Sequence, residues 1–422
     1  MMSKLMADKS SRLARLVEER ALSKMEEKKK QQENLVPYIP PYLPKECIYS
    51  ILVQLPPEAL QRLRFVCKPW YKMVNSSIFI DDHLRRAETV FIFLTRAVKG
   101  NLCPYSMPTI PQEKSNTFSV EENLFQSQSL PLFQRPQRQP MLEFYIQFME
   151  IKNGKSKIRE FNVTCLGKIR ATCNGLILLD NKMNKGGLIV LNPVTKKLIA
   201  LPLGTIYPPH SESFGLVLCN YTSEYKLIHL FEDEMRYIGC EILILGTRSW
   251  RMVDGPPFGL FSWLGCNPIS AIGALHWIPD IDRSDYLVSM STDDEKFHKT
   301  PLPKSCRSYD GIVEMGGLLS FMTHEETGQI DIWILRGLNG EDWIKQHSIT
   351  VGCSMEMIPL YCSRVKGEVI FKDKDGSMYA YDFEHMKKVD IEKGFPINGC
   401  YLPHVNSLVS WQIEDKDLDV GY

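Results

Sequence analysis

The sequence predicts an α+β chain with two parts, a small segment of three short helices followed by an all-β propeller. Apolar residues recur at helical spacing between residues 42 and 80. From about residue 160 onward, pairs of apolar strands joined by polar turns recur about every 45 to 50 residues, which is the period of a four-stranded propeller blade. The 422 residues, 44% of them hydrophobic, suffice to bury a large core.

The helical stretch opens at Pro44. Proline fits the first turn of a helix, because the N–H group that it lacks would have no hydrogen-bond partner there. A first apolar stripe covers residues 48–55 and stops at Pro56-Pro57. A second covers residues 59–79, and an interruption at Pro69 would divide it into two helices. Helices this short bury too little apolar surface for a core of their own, so they need a partner surface. That surface is either another protein or the chain's own second domain, as in an ordinary helical hairpin.

The repeated strand pairs of the second part end in bulky apolar residues. Trp250 and Trp343 close two of the hairpins, and we expect both to pack between neighbouring blades. Leu198, Phe297 and Val389 take similar places in the other hairpins. A second series of strand pairs turns around glycine and interleaves with the first series, because glycine supplies the positive φ that tight hairpins need.

Together the two series make five four-stranded units within residues 171–390. Strands between residues 89 and 163 form a sixth unit with a final strand in residues 401–411. A terminal strand that completes the first blade closes the ring and leaves no exposed sheet edge. The count favours six blades and leaves seven or eight open.

Composition divides the chain into four parts. Residues 1–36 form a charged extension, either helical or disordered, and residues 37–84 hold the helical segment. The propeller covers residues 85–411, with a flexible insertion at about residues 101–140 that is rich in Pro, Ser and Gln. Residues 412–422 form a tail.

Charge and composition narrow the classes of function. Lys+Arg and Asp+Glu number 50 each, so net charge gives no argument for nucleic acid or an anionic membrane as a partner. The apolar runs are too short to span a bilayer, the N-terminus has no signal-peptide core, and the 12 cysteines include no C-x-x-C pair. We therefore expect an intracellular protein, in the cytoplasm, the nucleus or both, with no metal and no other cofactor.

No catalytic constellation stands out, since G-x-S-x-G, H-E-x-x-H and P-loop motifs are absent from the sequence. Candidate binding residues lie instead in two Pro- and Gly-rich stretches, residues 204–210 and 256–264, whose aromatic side chains suit an interface on the propeller rim. Alternatively, these side chains fold back between the blades. The predicted target-binding residues are Tyr207, His210, Phe258, Phe261 and Trp263.

The helical stretch resembles the F-box. The resemblance rests on the Leu-Pro opening, the helical leucines and the run from Arg64 to Trp70. It implies docking to a Skp-type adaptor and, through that adaptor, to the cullin and RING subunits of a ubiquitin ligase. The residues that it assigns to adaptor docking are Leu43, Pro44, Ile48, Leu52, Leu55, Pro56, Leu60, Val66, Cys67 and Trp70.

The rest of the chain resembles the kelch-like F-box-associated propeller of plant F-box proteins. The matching motifs are Cys173-Asn174-Gly175, Asn192-Pro193-Val194-Thr195, Ser249-Trp250-Arg251 and Ala274-Leu275-His276-Trp277. The resemblance implies a non-catalytic substrate-recognition subunit of an SCF-type ligase, whose propeller holds a target protein for ubiquitylation. Two alternatives stay open, an adaptor-bound scaffold without a degradation target and an enzymatic propeller such as a glycosidase or a lyase.

Overall fold

A computed structural model describes most of the chain and divides it into two compact units, Met1–Leu52 and Val53–Tyr422. The described residues are 23, 43–98, 101–104, 143–152, 155–162, 166–181, 186–205, 212–235, 237–257, 267–279, 284–325, 328–337, 343–350, 357–363, 367–391 and 401–411. The predicted N-terminal extension, apart from Ser23, and the predicted tail lie outside them. Of the predicted insertion, residues 101–104 form a strand, and residues 105–140 lie outside the described part.

Helix α1 (Lys45–Leu52) belongs to the first unit. It begins directly after Pro44, whose carbonyl oxygen accepts a hydrogen bond from the Ile48 N–H at 3.1 Å. The second unit opens with three more helices: α2 (Pro57–Leu63), α3 (Lys68–Val74) and α4 (Ser77–Arg86). The helical segment therefore contains one helix more than the sequence predicted.

Prolines and a serine cap define where these helices begin. Pro57 and Pro69 lie in the first turns of α2 and α3, where their missing N–H groups cost nothing. Ser76 caps α4, since its hydroxyl oxygen accepts the Phe79 N–H at 3.4 Å. The apolar spacing predicted one helix in place of α3 and α4 because Val74 and Phe79 continue that spacing across the cap.

Twenty-five strands of the described residues form six sheets, which are the six predicted blades. Blade 1 contains β1 (Thr89–Val98), β2 (Asn101–Pro104), β3 (Glu143–Lys152) and β4 (Lys155–Asn162). Blade 2 contains β5 (Leu166–Cys173), β6 (Leu176–Asn181), β7 (Leu188–Asn192) and β8 (Lys197–Ala200). Blade 3 contains β9 (Glu212–Cys219), β10 (Glu224–Glu232), β11 (Ile238–Ile244) and β12 (Arg251–Val253).

The remaining three blades repeat this antiparallel order. Blade 4 contains β13 (Ile269–Ala271), β14 (Ala274–Trp277), β15 (Tyr286–Ser291) and β16 (Phe297–Pro301). Blade 5 contains β17 (Gly311–Met315), β18 (Leu318–Glu325), β19 (Gln329–Leu335) and β20 (Trp343–Thr350). Blade 6 contains β21 (Ile358–Cys362), β22 (Val369–Lys372), β23 (Met378–Asp382) and β24 (Lys387–Asp390), and β25 (Leu402–Val405) returns to blade 1.

Tryptophans at the ends of hairpins bond to the preceding blade, as predicted. The indole N–H of Trp250 donates to the Pro202 carbonyl oxygen at 2.9 Å, so blade 3 is joined to the end of blade 2. In the same way, the indole N–H of Trp343 donates to the Pro301 carbonyl oxygen at 2.7 Å, which joins blade 5 to blade 4. Each tryptophan thus buries apolar surface and satisfies its one polar atom.

The apolar residues in the other hairpins behave differently from one another. Phe297 and Val389 pack against the cores that blades 3 and 4, and blades 6 and 1, share. Leu198 is 46% exposed, so the prediction that it packs between blades is wrong. Its neighbour Ile199 packs on the core instead, because successive side chains of a strand point to opposite faces.

Glycine turns the inner hairpins in most of the places that the sequence indicated. Gly175, Gly273 and Gly367 have φ values of 92°, 74° and 67°. The β9–β10 turn of blade 3 lacks glycine, and Ser223 takes the left-handed conformation there with φ 58°. The glycine pattern in the sequence did not predict this turn, because a residue other than glycine takes the left-handed conformation there.

The last strand closes the ring. Strand β25 pairs antiparallel with the first half of β1, so that Thr89 lies opposite Val405 and Ile92 lies opposite Leu402. Strand β2 pairs with the second half of β1. The predicted closure is confirmed, and the innermost strand of blade 1 comes from the far end of the chain.

A buried asparagine fastens the residues that follow the closing strand. The Asn192 side-chain amide, at the end of β7, donates to the carbonyl oxygens of Ser407 at 3.1 Å and Val409 at 2.9 Å. Its oxygen accepts the backbone N–H groups of Val194 at 2.9 Å and Thr195 at 3.2 Å. One fully buried side chain therefore holds its own turn and the C-terminal segment together.

We expect Asn192→Ala to lower the free energy of unfolding by about 2–4 kcal/mol, because it leaves two carbonyls and two N–H groups without partners in the interior. Chemical denaturation of the two proteins measures this difference. Asn220→Ala, at an exposed turn position of blade 3, is the control and should stay within about 0.5 kcal/mol of wild type. Equal stability of the two variants would contradict the anchoring role.

Candidate docking surfaces

The helices of the second unit have a small core of their own. Leu60, Val74 and Phe79 are completely buried, one from each of α2, α3 and α4. His83 of α4 stacks on Phe79 with the ring centroids 6.4 Å apart. Its Nε2 lies 2.9 Å from the Leu55 carbonyl oxygen, in hydrogen-bond contact that ties α4 to the segment before α2.

The same helices are packed onto the propeller. Ile80 and Leu84 of α4 lie against the core that blades 2 and 3 share. The Glu88 carboxylate accepts a hydrogen bond from the Ser363 hydroxyl of blade 6 at 2.8 Å. An ion pair of 3.3 Å joins Arg159 of β4 to Glu58 of α2 on the surface. The helices α2–α4 therefore have a defined position on the propeller.

The loop between α2 and α3 exposes large apolar side chains. Phe65 is 68% exposed and Val66 is 63% exposed, and Cys67 is also exposed. Tyr71 of α3 lies beside Phe65, with ring centroids 6.4 Å apart. We call these four residues the loop surface. Contiguous exposed apolar side chains of this size are typical of a protein-binding site.

The sequence-predicted docking residues of the second unit fall into three groups. Pro56, Val66 and Cys67 are exposed, and Leu55 and Trp70 are half-buried. Leu60 is completely buried in the helical core. Its side chain has no surface to offer a partner in this conformation.

The predicted docking residues of the first unit are those on and before α1. Leu43 and Pro44 are exposed, Ile48 is half-buried and Leu52 is buried. Leu43 and Pro44 therefore have surface available for a partner.

Sequence reasoning missed three exposed apolar residues of the second unit: Phe65, Tyr71 and Ile78. Ile78, near the start of α4, is 71% exposed. Residues of this kind lie off the apolar stripe that helical periodicity selects. The signal that would have found them is a large apolar side chain at a position where an amphipathic helix calls for a polar one.

Strand directions place the helices and the ends of β8 and β12 at opposite ends of the propeller. Helix α4 leads directly into Thr89, which lies opposite Val405, where the innermost strand β25 ends. Strands β8 and β12 end, and the innermost strands β9 and β13 begin, at the other end of the propeller. The five predicted target residues, Tyr207, His210, Phe258, Phe261 and Trp263, lie outside the described residues.

The innermost strands of the six blades surround a central cavity of about 180 Å³. Thr172, Asn174, Ser270 and Glu314 are among its lining residues. The described part of the chain contains no group of three or more His, Cys, Asp or Glu residues that could hold a metal ion. A ligand in this cavity would meet apolar side chains together with hydroxyl, amide, thiol and imidazole groups and the carboxylate of Glu314.

A charged network between blades 2 and 3 holds the start of the first predicted target segment. Arg170 of β5 pairs with Asp180 of β6 at 2.6 Å and with Glu212 of β9 at 2.7 Å. The Glu241 carboxylate accepts hydrogen bonds from the Thr205 N–H at 2.9 Å and the Thr205 hydroxyl at 3.0 Å. Thr205 is the last described residue of the segment's first part, so this end of the segment is anchored.

His229 lies at the centre of the network, stacked on the Phe214 ring at 4.3 Å. Its Nδ1 is 2.8 Å from Glu241, and its Nε2 is 3.4 Å from Glu212. Burial acts to lower the pKa of His229, but the two carboxylates outweigh burial and raise that pKa above its ordinary value. Burial likewise acts to raise the pKa of Glu212 and of Glu241, and His229 reverses the direction, so both are lowered.

Comparison with known proteins settles the family. The sequence matches the family described as F-box associated beta propeller domain over residues 121–396, more than half of the 422-residue chain. This chain belongs to that family. Residues 41–83 also match the F-box-like family, so the helical segment is an F-box, as its residues predicted.

The chain is similar to several F-box proteins of Arabidopsis thaliana. It is 21% identical to the F-box protein CPR1 over 384 residues, covering 82% of this chain and 83% of that protein. It is 23% identical to a putative F-box protein over 393 residues, covering 86% of this chain and 96% of that protein. An F-box/kelch-repeat protein is 22% identical over 346 residues, covering 76% of this chain and 77% of that protein.

The two family matches of this F-box protein cover different parts of its architecture. The F-box match includes the whole loop surface, and the propeller match includes blades 2 to 6. Strands β1 and β25, which close the ring, lie outside both matches. Among the described residues, no helix is long and apolar enough to cross a membrane.

The network predicts a pH dependence of stability for this F-box protein. Because the pKa of His229 is raised on folding, its contribution is complete below its unfolded pKa and is lost as the pH rises through the folded pKa. We therefore expect the stability advantage of wild type over His229→Gln to fall as the pH rises above about 6.5, the ordinary pKa of histidine. Thermal denaturation at a series of pH values measures this advantage.

An exposed histidine in blade 4 provides the matched control. His298→Gln should show the same pH profile as wild type in that range. An advantage over His229→Gln that stays constant or grows with pH would show that His229 is neutral in the folded protein.

Proposed function

We propose that this chain is the substrate-recognition subunit of an SCF-type cullin–RING ubiquitin ligase. The loop surface carries the proposal, since Phe65 and Val66 of the loop and Tyr71 of α3 are large apolar side chains exposed side by side. In the proposed complex these side chains are buried against a Skp-type adaptor, which connects the chain to the cullin and RING subunits. Burial of such side chains contributes on the order of 2 kcal/mol each.

The propeller supplies the second binding function in this proposal. A target protein binds at the end of the propeller where innermost strands begin, and the adaptor binds the helices at the end where they finish. Because α4 is packed on blades 2 and 3, a bound target is held at a defined distance from the adaptor. The gain in ubiquitylation rate then comes from proximity, with no side chain of this chain taking part in the chemistry.

The Arabidopsis relatives support this proposal by their names, which describe F-box proteins. The alternative is an adaptor-bound scaffold that delivers no target for degradation. The two functions differ in what accumulates when the proteasome is inhibited, because only a receptor enriches a ubiquitylated target. An enzymatic propeller would instead turn over a substrate in the absence of any adaptor.

We expect the double variant Phe65→Asp/Val66→Asp to lose adaptor binding by a factor of about 100 or more, since two desolvated apolar contacts are replaced by buried charges. The variant should keep the wild-type melting temperature because both side chains are exposed. Binding to a purified Skp-type adaptor, measured by calorimetry, tests this expectation. Leu43→Ala/Pro44→Ala tests the first unit in the same assay.

Tyr221→Asp is the matched control, because Tyr221 is an exposed aromatic residue on a propeller turn. It should bind the adaptor as wild type does. Undiminished binding by the Phe65/Val66 variant would remove the loop surface from the interface.

Affinity purification from plant cells treated with a proteasome inhibitor then tests the receptor function. Wild type should capture the adaptor, the cullin and one or more ubiquitylated proteins. The Phe65/Val66 variant should keep the target through its propeller and lose the adaptor and cullin. Capture of adaptor and cullin alone by wild type would favour the scaffold.

A further inference from the structure

The F-box carries a concentration of positive charge that the composition of the whole chain conceals. Between Glu58 and Asp81 the sequence has four basic residues and no carboxylate, although the chain as a whole is neutral with 50 residues of each sign. The four basic residues are Arg62, Arg64, Lys68 and Lys72. This stretch includes the whole loop surface.

The basic side chains surround the loop surface. Arg62 lies in the last turn of α2, immediately before the loop, and Lys68 and Lys72 lie on α3, immediately after it. Lys68 and Lys72 are four residues apart and share a helix face with each other, and Tyr71 lies three residues from Lys68 on α3. We call Arg62, Lys68 and Lys72 the basic rim. All three are exposed.

The cations of the rim are not neutralised within the described residues. The described ion pairs include none of the three, and Glu58, the nearest carboxylate before the rim in sequence, is paired with Arg159. Arg64 lies differently, with its guanidinium group 4.8 Å above the Phe65 ring. Like charges four residues apart destabilise a helix, so the Lys68/Lys72 pair opposes folding of α3.

We propose that the basic rim steers an acidic partner onto the loop surface: the adaptor face that receives Phe65 and Val66 is apolar at its centre and bordered by carboxylates. This proposal rests on the proposed adaptor function and specifies the chemistry of that partner. Charges at the edge of an interface act mainly on the rate of association, whereas the buried apolar centre controls the rate of dissociation. The rim and the loop surface therefore have separable kinetic effects.

The test compares association kinetics of the full chain with a purified Skp-type adaptor at ionic strengths from about 0.05 to 0.5 M. The rim variant is Arg62→Gln/Lys68→Gln/Lys72→Gln. At low salt we expect its association rate constant to be about tenfold lower than that of wild type, with a dissociation rate constant within about threefold. At high salt the two association rates should converge, because the Debye length falls from about 14 Å to about 4 Å.

The control variant removes the same net charge elsewhere. Arg248 and Lys296 are exposed cations on turns of blades 3 and 4, and Lys387 is an exposed cation at the start of β24 in blade 6. Their replacement by glutamine should leave association at low salt within about twofold of wild type. The rim variant should melt at or slightly above the wild-type temperature, since the Lys68/Lys72 repulsion is relieved.

The outcomes separate the two proposals. If the rim variant associates as fast as the control variant at low salt, or if its defect lies in dissociation, steering by the rim is wrong while adaptor docking stands. Steering is also wrong if wild-type association is independent of salt. If wild type binds no Skp-type adaptor at any ionic strength, the proposed function fails, and the steering proposal fails with it.

Discussion

The pairing of β25 with β1 is the contact on which the rest of the structure depends. It joins residues 89–92 to residues 402–405 and closes the ring of six sheets. The core that blades 6 and 1 share presupposes this closure, since an open ring would expose the apolar faces of these two blades. The pairing also determines where the F-box is attached, because α4 enters β1 at Thr89. Asn192 of blade 2 also stabilises the closure, because its side chain bonds to the C-terminal segment. A residue in a hairpin turn therefore makes contacts far away in the sequence.

Much of this fold is predictable from the sequence because each blade repeats the same arrangement of apolar strands and turns. Strand pairs with an apolar face must be covered by the next blade, so bulky residues recur at equivalent places, and Trp250 and Trp343 bond to equivalent prolines. The failures occur where one residue decides the outcome. A shift of one position exposes Leu198 and buries Ile199. Ser223 replaces the expected glycine, and Ser76 divides one apolar stripe into two helices.

The docking site is less predictable than the fold, for a reason that periodicity itself imposes. Helical spacing selects residues such as Leu60 that face the core of their own segment. An exposed apolar residue breaks the pattern instead, as Phe65 does between two helices. The family resemblance assigned Val66, Cys67 and Leu60 to adaptor docking. In the structure Val66 and Cys67 are exposed, whereas Leu60 is buried. Single-sequence reasoning therefore locates the segment, while side-chain exposure is needed to assign its residues.

The composition of the whole chain does not reveal the local positive charge of the F-box. A neutral chain gives no argument for a charged partner, yet the stretch around the loop surface contains cations alone. The propeller shows the contrasting arrangement, in which Arg170 and His229 are enclosed by three carboxylates between two blades. Charges that hold the fold together are paired and buried, and their fields extend little into solvent. The cations of the basic rim have no described ion-pair partner and are exposed, so their field reaches a protein that approaches the loop surface. The local pairing of charges, more than their total, distinguishes the part of this chain that stabilises the fold from the part that receives a partner.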